Sequence, residues 1–115
     1  MNAVSKEVRE LIQIELESAN SKFPLFASNH EAYAVALEEL QEAEEELAKC
    51  KENLEMCFQQ IRVDNDILTR TKFAGLKFSA EKLAIEAIQL SAMAQKALDS
   101  ASKRGERHVS DIQQA

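Results

Sequence analysis

The stretch from about residue 29 to residue 61 constrains this chain most. It holds no proline and no glycine, and its apolar residues recur in steps of three and four: Tyr33, Ala36, Leu40, Ala43, Leu47, Cys50, Leu54, Cys57 and Ile61. That is the a/d pattern of a heptad repeat, and it predicts a single helix about 50 Å long. One short neighbour cannot cover a helix of that length. Its seam needs other long helices, or a second subunit, beside it.

The flanking segments read as helix too. Val4, Val8, Leu11, Ile12, Ile14 and Leu16 predict a first helix over residues 4 to 21. The run Lys22, Phe23, Pro24, Leu25, Phe26 ends it, because a residue before proline is pushed out of the α region. Ser28 or Asn29 can cap the long helix, and Glu31 completes a capping-box spacing with Ser28. Beyond it, Asp64 or Asn65 can cap a short helix containing Ile67 and Leu68, with Gly75 marking a bend. A last long helix is expected over residues 79 to 102. The remainder, 103 to 115, contains Gly105 and reads as a polar, flexible tail. With two glycines and one proline among 115 residues, and no run rich in β-branched and aromatic residues, nothing favours a sheet. The fold class is therefore all-α: one helical domain over residues 1 to 102, an antiparallel bundle around the long central helix.

Charge and composition exclude several functions. The formal net charge of −6 argues against binding a nucleic-acid polymer or an anionic membrane, both of which need a basic footprint. No apolar run is long enough to span a membrane. The first residues lack the apolar core of a secretion signal, so a cytoplasmic location is expected. The only cysteines, Cys50 and Cys57, are too far apart along one helix to bridge, at about 10 Å, and read as free thiols.

The chemistry-bearing residues lie beside the seam. At helical spacing, Glu39, Glu42 and Glu46 form a second stripe next to the apolar one, with Glu38 and Glu45 just outside it. A charge run of this kind usually serves only to keep a helix soluble. Glu86 changes that reading. It sits on the last helix within a stripe made by Leu83, Leu90, Met93 and Ala97, and a carboxylate in apolar surroundings needs a cation or a proton. A divalent metal shared with Glu39 and Glu42 meets that need, since hard cations take carboxylate oxygens. His30 reads as a capping or packing residue, and His108 falls in the tail.

These residues resemble a known family. Glu38-Glu39-Leu40-Gln41-Glu42 is similar to the Glu-Glu-x-x-Glu motif of the MazG-like all-α nucleotide pyrophosphohydrolases. Phe23-Pro24-Leu25-Phe26, His30 to Val35 and Glu86 to Ala94 resemble phage and bacterial members of that group. Two features depart from the pattern. Gln89 stands where the family has an aspartate three residues after the second glutamate, and 43 residues separate Glu42 from Glu86. Glutamine offers a neutral oxygen, which implies weaker metal binding or a single metal.

The resemblance implies a Mg²⁺-dependent enzyme, with Mn²⁺ as the other usable ion, cleaving nucleoside triphosphates to monophosphate and pyrophosphate. Glu39, Glu42, Glu86 and Gln89 are then the expected metal ligands, and Glu38 the expected catalytic base. Lys72, Lys77 and Lys82 are the expected phosphate contacts. The chain is expected to self-associate as a homodimer or a dimer of dimers. The heptads alone support a different reading, a non-catalytic helical interaction protein.

Overall fold

Three helices account for nearly all of the chain: α1 (Ser5–Lys22), α2 (Asn29–Arg62) and α3 (Asp66–Gln114). They are drawn from a computed structural model that describes the backbone of residues 3–114 and the side chains of residues 3–105. No strand occurs among the described residues. The side chain of His108, and most of the segment read as a polar tail, lie outside the described side chains.

Local chemistry explains the helix ends. Phe23 is extended, with φ −134° and ψ 147°, and stops α1 just before Pro24. At the start of α2, Ser28 Oγ accepts the Glu31 N–H at 3.1 Å, while Glu31 Oε2 reaches back to the Ala27 N–H at 3.4 Å. This satisfies two donors near the helix start, as the Ser28/Glu31 spacing predicts. Ser28, not His30, is the cap, and the His30 side chain is exposed.

The turn from α2 to α3 takes only three residues. The Asn65 N–H donates to Gln60 O at 3.0 Å and the Asp64 N–H to Ile61 O at 3.1 Å, the paired bonds of a Schellman C-cap. Asp64 holds the left-handed position that this motif requires, with φ 55°. Asn65 then caps α3, its Oδ1 accepting the Leu68 N–H at 3.1 Å.

α3 differs from its expected form. The short helix, the bend at Gly75 and the separate last helix are one continuous helix beginning at Asp66. Gly75 lies inside this helix with ordinary negative φ and interrupts nothing. It makes room: a Cβ there would stand 2.5 Å from Asn53 Oδ1 on α2. Asn53 is held in place by its Nδ2 donating to Lys49 O at 3.0 Å. The glycine thus serves close helix approach rather than a turn, at a propensity cost of about 1 kcal/mol.

The chain forms two compact units, Met1–Glu39 with Ile88–Ala115, and Leu40–Ala87. In the Leu40–Ala87 unit, α2 and α3 run antiparallel, and the buried residues are small: Ala43, Cys50, Cys57 and Ser79. Cys57, only 1 % exposed, places its Sγ 3.8 Å from Thr69 O. The heptad seam therefore divides. Ala43, Cys50 and Cys57 face the partner helix, whereas Leu40, Leu47, Leu54 and Ile61 remain 42 to 54 % exposed. Small side chains bring two helices close, and the larger ones are left flanking the contact.

In the other unit, Leu16, Phe26, Ala32, Ala92, Lys96 and Ser100 are buried. The connector between α1 and α2 is fastened to α3. The Phe26 N–H donates to Ser100 Oγ at 2.9 Å, and that hydroxyl donates to Lys96 O at 2.7 Å. Arg104 donates to Phe26 O at 2.7 Å and to Asn29 Oδ1 at 2.8 Å.

Two stability measurements check this description. Asp64→Gly relieves a left-handed aspartate and is expected to raise unfolding free energy in urea by ~0.5–1 kcal/mol. Ser100→Ala strands the buried Phe26 N–H and is expected to lower it by about 1–3 kcal/mol. An unchanged midpoint for Ser100→Ala would mean that the connector is not tied down there.

Candidate metal centre

Glu39 and Glu42 lie one turn apart on α2, so their side chains leave on neighbouring positions of one face. Glu86 comes from α3. Each of the three offers a carboxylate oxygen, and these oxygens lie within 4.8 Å of one another. All three residues are half-buried. If all are ionised, each pair repels by on the order of 3 kcal/mol at an effective dielectric constant of about 20. A divalent cation offsets that repulsion. Oxygen donors of this kind suit the hard ions Mg²⁺ and Mn²⁺, so the donor set fits the ion that the sequence implied.

The neighbouring carboxylates are differently placed. Glu46 Oε1 accepts Lys49 Nζ at 3.2 Å, and its Oε2 is buried without a hydrogen-bond partner. Its charge is thus balanced within its own helix. Glu38 is exposed. Gln89 follows Glu86 by one turn of α3 and is half-buried.

The three lysines singled out as phosphate contacts are occupied or peripheral. Lys77 Nζ sits 3.9 Å from Glu81 on an exposed face. Lys82 Nζ stands 4.9 Å from the centroid of the Phe78 ring. Lys72 is half-buried, with no hydrogen bond or ion pair among the described residues.

A cavity of about 480 Å³ lies in the unit formed by Met1–Glu39 and Ile88–Ala115. Its apolar walls come from Ala19, Phe23, Phe26, Val35 and Met93, and its acidic ones from Glu15, Glu31, Glu38 and Glu39. Its volume falls in the ~300–1,000 Å³ range of small-molecule sites. One cation lines it. Lys96 is only 2 % exposed, and its Nζ stands 4.9 Å from the centroid of the Phe26 ring. No hydrogen bond or ion pair among the described residues engages that ammonium.

Sequence reasoning passed over Lys96 because lysine on a long helix is ordinarily solvated. The available signal was slight: Lys96 lies between Ala92 and Ser100 at four-residue spacing, so one edge of α3 is small above and below it. Both neighbours are buried.

No family model, no curated protein and no solved structure matches this chain.

Proposed function

We propose that this chain is a divalent-metal-dependent nucleoside triphosphate pyrophosphohydrolase of the MazG-like kind. The observation that carries the reading is the meeting of Glu39, Glu42 and Glu86. Oxygens from two helices within reach of one point are the donor arrangement that a hard divalent cation takes. The cavity beside Glu38 and Glu39 adds a space in which a small molecule can lie.

In this reading Glu39, Glu42 and Glu86 hold the metal, with the Gln89 amide oxygen as a neutral supplement. A metal held there supplies charge to bind and polarise the phosphate oxygens and to acidify a water. The overall reaction adds one water across the α–β phosphoanhydride and releases nucleoside monophosphate and pyrophosphate. Glu38, exposed on the cavity wall, takes the proton from the attacking water onto a carboxylate oxygen. The apolar walls limit competing water around the bound nucleotide.

A second reading is favoured by a separate observation. Leu40, Leu47, Leu54 and Ile61 form an exposed stripe at seven-residue spacing. Such a stripe suits pairing with another helix. It serves a homodimer or dimer of dimers of the enzyme, and it equally serves a non-catalytic helical interaction protein.

Thermal melting separates the two. At ten times its dissociation constant, Mg²⁺ or Mn²⁺ stabilises the folded state by about 1.4 kcal/mol, raising Tm by several degrees. Glu42→Gln is expected to abolish that rise. It is also expected to raise Tm without metal, because one repelling charge has gone. A wild-type Tm indifferent to millimolar metal sinks the enzyme reading and leaves the interaction protein. Pyrophosphate release from a panel of nucleoside triphosphates tests activity directly. Loss in Glu39→Gln and a fall of at least about 100-fold in Glu38→Gln are the expected outcomes.

A further inference from the structure

The cavity in the Met1–Glu39 and Ile88–Ala115 unit contains a feature that the metal centre does not use. Lys96 is only 2 % exposed and lines the cavity, and among the described residues its ammonium meets only the face of Phe26. A buried ammonium is costly unless its protons are accepted. A ring face attracts the charge but accepts none of its protons in a directed hydrogen bond. Among the described residues no oxygen or nitrogen accepts from this ammonium, so its protons are left to the cavity, where a ligand can bring an acceptor.

The rest of the lining narrows the ligand. Four carboxylates, Glu15, Glu31, Glu38 and Glu39, share the lining with this one cation. An anionic group is repelled by Glu15 and Glu31, so in the proposed function the phosphates keep to the Glu38 and Glu39 side, beside the proposed metal, and the rest of the cavity is left for a neutral group. A neutral ligand that donates hydrogen bonds is favoured, since carboxylates accept them. Phe26 and Met93 offer apolar surfaces on which a planar ring can pack.

We infer that this cavity binds a nucleobase, with Lys96 donating to a ring carbonyl oxygen and the cavity's glutamates accepting from an exocyclic amino group. Cytosine and guanine carry both groups. Thymine and uracil lack the amino group, and adenine lacks the carbonyl. Lys96 is then a specificity-determining residue. That the ligand is a nucleotide rests on the proposed function. The buried lysine and the cavity do not.

The test uses the full-length protein, free nucleosides and no metal, so that it does not depend on catalysis. Deoxycytidine or deoxyguanosine is expected to shift the Lys96 side-chain ¹³Cε resonance in wild type, and thymidine and deoxyadenosine are not. Lys96→Met keeps the length of the stem and removes the charge. It is expected to retain the fold and to weaken nucleoside binding by at least about tenfold, the loss of one charge-assisted hydrogen bond. If Lys96→Met does not fold, the wild-type resonance still decides. No Lys96 shift at saturating levels of any of the four nucleosides overturns the inference. So does equal binding of all four, or unchanged affinity in Lys96→Met. Nucleoside binding without pyrophosphate release supports the base site while overturning the enzyme. Pyrophosphate release at equal kcat/KM for all four bases does the reverse.

Discussion

Close contact between α2 and α3 in the Leu40–Ala87 unit is set by small side chains. Ala43, Cys50 and Cys57 are buried on α2, and Ser79 is buried on α3, where Gly75 leaves room for Asn53. Cores of this kind gain little from hydrophobic area per residue, because each side chain is small. They gain instead from the contact of backbones held at short range, for which dispersion is the main attraction. The arrangement has a direct consequence for the surface. The bulky members of the same heptads, Leu40, Leu47, Leu54 and Ile61, cannot enter so narrow a contact and stay accessible. The residues that make the hairpin contact and those left exposed beside it are thus alternate positions of one repeat.

In the other unit the constraint is polar. The connector carries a proline and places Phe26 in the core, and its backbone cannot use helical hydrogen bonds. Ser100 and Arg104 of α3 supply the missing partners. Ser100 also returns its own proton to Lys96 O, so the same turn of α3 that anchors the connector presents Lys96 beneath Phe26. The buried cation and its aromatic neighbour are positioned by this pair of ties. A cavity wall built on such ties is held at the backbone, which is what a selective binding surface requires.

Charge is distributed unevenly between these features. Glu38 and Glu39 both line the cavity, and Glu39 also belongs to the carboxylate trio with Glu42 and Glu86. Glu46, one turn further along, is balanced by Lys49. A run of glutamates that is uniform in sequence therefore resolves into members with different surroundings. Like charges placed at short range in half-buried positions raise the affinity for a cation, and that is the physical basis of the proposed metal site.

Much of this was legible from residue order alone. The extents of α1 and α2, the break before Pro24 and the Ser28 cap follow from local chemistry that acts within a few residues. The heptad spacing showed that α2 must pair along its length, and the apolar setting of Glu86 pointed to Glu39 and Glu42 as its companions. Three features needed the tertiary structure. Gly75 reads as a bend in sequence, but a glycine in a helix and a glycine in a turn look alike until Asn53 is seen opposite it. The repeat did not reveal which of its positions would be buried, because that depends on how near the second helix comes. Nor could the chain's order reveal Lys96 as a buried cation. Its burial depends on Phe26, some seventy residues away in sequence, being brought over it. Helix caps and periodicity are local properties, and the sequence by itself determined them and the extents of α1 and α2. Burial and charge environment depend on partners distant in the chain, and only the tertiary structure decided those.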